Sequence, residues 1–202
     1  MENDILKQIR DFFMKYGIKS VTMDDISREL GISKKTLYEH YKDKADLIRQ
    51  VFRLEMDKMT NCMNQLAGNS ENTIDQMIAI NKHLIEIRKK FPENIKFEML
   101  KYYPEIMNEN RLYIEERMRN AIKENLLLGQ KQGMIRKDVD IEIIAAMQVS
   151  RSSVVDDIMR QLQNNDYETI INVIFDYHLR GVCTKKGIEY YFNKIKKLQD
   201  EN

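Results

Sequence analysis

Seven glycines and two prolines among 202 residues leave this chain few places to turn. An all-β architecture spends glycine and proline at every hairpin, and a phosphate-cradling loop needs glycines in a cluster; with neither available, helices joined by short connections remain. Hydrophobic residues make up 43% of the sequence, well above a disordered composition. A chain of this length buries roughly 70% of its extended surface on folding, enough for one or two compact domains. The 33 Lys and Arg against 32 Asp and Glu give a net charge of +1, which by itself names no partner. Charges are scattered through the first turns, and no uncharged apolar run approaches the roughly 20 residues that cross a bilayer. The expected location is cytoplasmic, with no membrane partner. Cys62 and Cys183 lie far apart in the sequence and read as buried thiols rather than a bridge.

Periodicity orders the helices. Ile5, Leu6, Ile9, Phe12, Phe13 and Tyr16 share one helical face, and Gly17 follows as a stop. Thr22 with an acidic residue three on, bracketed by the apolar pair Val21 and Ile26, opens a short second helix that ends near Leu30 and Gly31. Ser33, with Ile32 and Leu37, repeats that grammar at once and opens a third helix through His40 or Tyr41. Asp43 caps a fourth, whose Leu47, Ile48, Val51 and Phe52 face inward and whose pattern runs to about Leu66. Further on come a helix carrying Ile74 to Ile85, one started by Pro92 and interrupted at Pro104, and a long one from about Asn108 to Gln132 closed by Gly133. Two strongly apolar helices follow at about 140 to 163 and 166 to 182, then a shorter one from about Gly187 to Leu198. The prediction is an all-α chain of nine to ten helices.

Two short helices joined by a glycine-containing turn, behind a packing helix, form the pattern of a helix-turn-helix. Between 34 and 44 stand four lysines against Glu39 and Asp43, whereas residues 1 to 33 hold five bases and six acids. The positive field is concentrated where the second helix would meet phosphate. Leu37 and Tyr41, one turn apart, should hold that helix to the others, which leaves Lys34, Lys35, Tyr38 and Glu39 facing outward. Lysine can donate to guanine O6 and N7, Thr36 or the Tyr38 ring can meet a thymine methyl, and Glu39 can accept from cytosine N4. Thr22, Ser33, Tyr38, His40 and Lys44 are placed to grip phosphates. A solvated lysine face on an ordinary capped hairpin would produce much the same pattern.

The run from Thr22 to Leu47, and above all Gly31-Ile32-Ser33-Lys34-Lys35-Thr36-Leu37-Tyr38-Glu39-His40-Tyr41-Lys42-Asp43-Lys44, resembles the DNA-binding domain of TetR-family transcriptional regulators. The resemblance covers about residues 5 to 52. It implies a homodimer on double-stranded DNA, with a helix-turn-helix domain over 1–48 (helix four linking from about 43) and a divergent helical ligand-binding and dimerisation domain over 49–202. It further implies DNA contacts at Thr22, Lys34, Lys35, Thr36, Tyr38, His40 and Lys44. Lys34, Lys35 and Glu39 fall at the variable positions that set the operator. The function expected is that of a regulator, most simply a repressor released by a small-molecule effector of unknown identity. The alternative is a DNA-anchored protein-interaction module without such a ligand.

The helices near 140 to 163 and 166 to 182 are apolar on more than one stripe, and a wide apolar belt needs a second covering surface. Ser150, Ser152 and Ser153 permit close helix approach, so Ser150, Val154, Ile158, Ile171, Ile174, Phe175 and His178 are the expected dimer interface. The core of a monomer is the competing account of the same belt. Thirteen methionines in a chain without tryptophan suggest a deformable cavity, with Met59, Met63, Met77, Phe97, Tyr103, Met107 and Met118 as its candidate lining. A methionine stripe is core more often than pocket. None of the three histidines has a Cys or His neighbour at zinc-site spacing, and no P-loop or GxSxG motif occurs, so neither an enzyme nor a metal or cofactor is expected.

Overall fold

A computed structural model describes residues 2–162 and 166–200, apart from the side chains of Glu2, Ser152 and Gln199. Its eleven helices are α1 (Glu2–Tyr16), α2 (Met23–Glu29), α3 (Lys34–His40), α4 (Lys44–Gly68), α5 (Thr73–Lys90), α6 (Glu93–Tyr102), α7 (Pro104–Lys131), α8 (Ile141–Val149), α9 (Arg151–Gln161), α10 (Tyr167–Val182) and α11 (Lys185–Asp200). Among the described residues there is no strand, only an isolated bridge between Ile135 and Cys183. No helix is long and apolar enough to cross a membrane.

Gly17, Gly31 and Gly133 are the glycines with positive φ, and each stands just past a helix, where a side chain would clash with the backbone. Other boundaries differ from the sequence reading. The helix expected from about Asn108 begins at Pro104, because a proline at the first helical position gives up an amide that has no intrahelical partner anyway. The single helix expected over about 140 to 163 is two, and residue 163 lies outside the described residues. The break falls at Ser150, whose amide is shared between Ala146 O and Gln148 O. This split raises the count above the nine or ten expected. Gly187 lies inside α11 rather than at its start.

The chain forms two compact units, Met1–Cys62 with Lys89–Ile114, and Met63–Arg88 with Glu115–Asn202. Packing therefore does not follow chain order. In the first unit Ile9 and Phe13 of α1, Ile26 of α2, Leu37 of α3 and Leu47 and Ile48 of α4 make one core, joined by Ile95 and Met99 of α6 and Ile106 of α7. Each such side chain contributes about 1.5–3 kcal/mol by leaving water. α6 also holds the α1–α2 connection: Lys19 donates its amide to Glu98 Oε2 at 2.8 Å and its ammonium to the Tyr102 hydroxyl at 2.9 Å.

The second unit centres on Ile74, Leu126, Ile135, Phe175 and Leu179, with a smaller cluster around Ile85, Val155, Ile170 and Ile171. A buried polar tie fixes α5 to α7, in which Thr73 Oγ1 donates to Asn125 Oδ1 at 2.8 Å and Asn125 Nδ2 to Gln76 Oε1 at 2.6 Å. Cys183 is buried, and desolvation pushes its thiol up to about 11; Cys62 is only half-buried, less than the sequence suggested, and the two form no disulfide.

Candidate nucleic-acid interface and effector cavity

The turn between α2 and α3 is fixed by three local devices. Thr22 and Asp25 form a reciprocal cap: Thr22 donates its amide to Asp25 Oδ2 at 2.9 Å and accepts the Asp25 amide at 3.2 Å. Bonds from the Thr22 hydroxyl and amide hold the Asp25 carboxyl below its ordinary value. At the other end Ile32 N donates to Ser27 O and Gly31 N to Arg28 O, a paired closure that requires the left-handed residue Gly31, φ +65°. Ser33 then accepts the Thr36 amide at 3.0 Å and starts α3.

Leu37 and Tyr41 are buried against α1, α2 and α4, so the other side of α3 faces water. Lys34, Lys35, Tyr38, Glu39 and His40 are all exposed there, Tyr38 at 51%. Lys34 pairs with Asp24 of α2 in a bridge exposed on both sides, which costs little to open. The hydroxyls of Thr22, Ser33 and Thr36 are occupied in caps. Lys44 differs from the other named residues: its ammonium turns inward and donates to Ile18 O at 2.5 Å, and burial lowers its pKa. In this conformation Lys44 ties α4 to the α1–α2 connection and does not reach outward as a phosphate grip.

Only some of the expected cavity residues come together. Met63, Met77 and Met118 line a partly open cavity of about 70 Å³ in the second unit, with Ile80, Asn81, Gln148, Arg151 and Phe175 in its wall. Met59 is half-buried on α4 and takes no part in that wall. Phe97 is exposed, and Tyr103 and Met107 pack on the core of the first unit, so these three leave the proposed lining. The reason is that α6 and the start of α7 belong with the helix-turn-helix, a long-range pairing that no local spacing announces. The polar part of the wall, Asn64, Gln76, Asn81, Asn125, Gln148 and Arg151, escaped sequence reasoning because nothing local marks such residues as facing a cavity.

A second concavity, an open groove of about 430 Å³, lies between α8, α9 and α10 and exposes Ile143, Met147, Val154 and Tyr177. Of the expected interface residues, Ser150 and Val154 are exposed, and Ile174 and His178 line the groove half-buried. Ile158 packs on the small cluster, while Ile171 and Phe175, 2% and 7% exposed, face the protomer's own core, so neither is free to meet a second copy. The side chain of Ser152 lies outside the described residues.

Comparison with known proteins places this geometry. A model of bacterial regulatory proteins of the tetR family matches residues 5–51. An HTH-type transcriptional regulator of Staphylococcus aureus (strain USA300) is 29% identical over 76 residues, which are 38% of this chain and 41% of that protein. The match thus spans well under half of the curated relative. A TetR-family transcriptional regulator from Cytophaga hutchinsonii shares the fold with a TM-score of 0.69 at 13% identity, over 90% of this chain and 94% of that one. A gamma-butyrolactone receptor described as ArpA-like follows at 0.61 and 15%, over 98% and 95%. Matches of this kind point to regulators rather than enzymes.

Proposed function

We propose, from the premise that residues 5–51 belong to the tetR family of bacterial regulatory proteins, that this chain is a cytoplasmic transcriptional regulator, a homodimeric repressor that reads a palindromic operator through α3 and lets go when a small molecule binds the second unit. The observation that carries the reading is the division of α3 into a buried side, Leu37 with Tyr41 behind it, and an outer side of Lys35, Tyr38, Glu39 and His40. Lys35 donates to guanine, Glu39 accepts from cytosine, and Tyr38 and His40 meet backbone or a thymine methyl. Lys34 joins them once it leaves Asp24. Thr22, Ser33 and Thr36, held in their caps, set the angle at which α3 is presented to DNA.

The groove between α8, α9 and α10 is the surface we assign to the second copy. A two-fold dimer carries two α3 helices, and its operator has half-sites roughly 34–36 Å apart or a multiple of that. Release follows if the effector prefers the dimer state that fits DNA less well, and it can shift the balance only by that preference. The neighbour described as a gamma-butyrolactone receptor supports an effector for this chain. One observation favours the alternative, an interaction module without a ligand: the cavity of about 70 Å³ is small beside the roughly 300 Å³ of ordinary ligand sites. Its methionine lining can move aside, which keeps the effector reading ahead.

Selection from a pool of randomised duplexes with the purified protein tests the proposal. An enriched inverted repeat is the expected result. Enrichment of no sequence would defeat the regulator reading.

A further inference from the structure

We infer that the effector of the second unit carries a carboxylate, bound by the guanidinium of Arg151, with an apolar body lying among Met63, Met77 and Met118. This rests on the effector-responsive reading above and gives the effector a chemistry.

Arg151 is the first residue of α9, just past the break at Ser150, and it lines both the small cavity and the outer groove. Its side chain is held partly away from water, and this burial lowers its pKa. Among the described residues the one ionisable group favouring its charge is the Tyr167 hydroxyl, which burial raises above the ordinary tyrosine value and so keeps neutral. His178 offers no help either: burial first, then the charge of Arg151, pushes its imidazole down to about 4. The remaining partner is the Phe175 ring, 5.8 Å from the guanidinium carbon, whose face recovers only a small part of what desolvation takes away.

Arg151 is half-buried, and a desolvated cation that faces an apolar wall without an anion beside it among the described residues is poorly compensated. Guanidinium presents a planar fork that matches a carboxylate in two parallel hydrogen bonds. Asn81 Oδ1, buried in the same wall without a donor, is an acceptor that a carboxylate cannot complete, so the head group is placed at Arg151 and away from Asn81. Around these polar atoms the lining is apolar and flexible, with Ile80 and Leu84 beside the methionines. A small cavity with one half-buried guanidinium and a deformable, mostly apolar wall suits a monoanionic head on a short hydrocarbon body. The other source of a carboxylate is a second copy across the groove, and the test separates the two.

Thermal melting of the full chain is measured with straight-chain carboxylates from acetate to decanoate, each against the alcohol of equal length and concentration. At least one carboxylate should raise Tm by several degrees where its alcohol does not. Arg151→Met should abolish that shift while melting no lower than the wild type without ligand, since the variant removes a half-buried charge that has no ion-pair partner among the described residues. Arg151→Lys keeps charge but loses the fork, and should retain a reduced shift; it carries the test alone if Arg151→Met does not fold. The inference is overturned if no carboxylate outdoes its alcohol, if either variant keeps the full shift, or if Arg151→Met turns the dimer into monomer in sedimentation, which would assign the counter-charge to a second copy. Failure of the regulator reading looks different: a carboxylate that binds through Arg151 yet leaves the selected duplex bound would sink the release mechanism and leave this site standing.

Discussion

Ser33 shows how much of this fold rests on single side chains. Its hydroxyl is the acceptor for the first free amide of α3, a helix of only seven residues with little else to hold its start. Ser33→Ala should cost about 1 kcal/mol, read as a lower midpoint in urea unfolding. His178 makes the opposite kind of contribution, one that depends on pH. Its folded pKa of about 4 lies below the ordinary 6.5, so the folded state binds fewer protons than the unfolded chain. Stability is therefore intact above pH 6.5 and declines as pH falls toward 4, by about 3 kcal/mol in all at 1.36 kcal/mol per unit. Chemical unfolding at pH 7 and pH 4.5 should show this loss, and His178→Gln should remove most of it; an unchanged pH slope in the variant would contradict the assignment.

Helix ends were legible in the sequence where the signal is local. Caps at Thr22 and Ser33, and the stops at Gly17, Gly31 and Gly133, act within three to five residues of themselves, and each stands where the sequence places it. What escaped depends on distant partners. The apolar run after residue 140 contains no proline or glycine, so nothing local announces the break at Ser150, and α6 looks like any amphipathic helix until Ile95 and Met99 are seen beneath the reading head. The same holds for Gly187, which spacing alone made a helix start. It allows α11 to cross the 133–135 turn, because a Cβ there would stand 2.3 Å from Met134 O, a backbone atom that is held in place by Thr184 N at 2.9 Å. Gly187→Ala should destabilise the protein by about 1–3 kcal/mol through overpacking, although alanine is the better helix former. A variant as stable as the parent in thermal melts would mean that α11 can shift.

In the homodimer proposed above each copy would contact only a half-site, so assembly would turn one reading helix into a specific reader. The groove between α8, α9 and α10 leaves Met147 at 61% and Tyr177 at 79% exposed, large apolar surfaces that a lone chain has no reason to present together. Met147→Asp should give a monomer at micromolar concentration in sedimentation equilibrium, with its melting temperature lowered only as far as loss of the dimer requires. A variant still dimeric would move the interface elsewhere. The central claim is that the outer side of α3 reads DNA, and fluorescence anisotropy titration of the selected duplex tests it most directly. Lys35→Ala and Tyr38→Ala should each weaken binding by about 1–3 kcal/mol while sedimentation shows the dimer unchanged. If both variants bind that duplex as tightly as the wild type at the same salt concentration, α3 is not the reader.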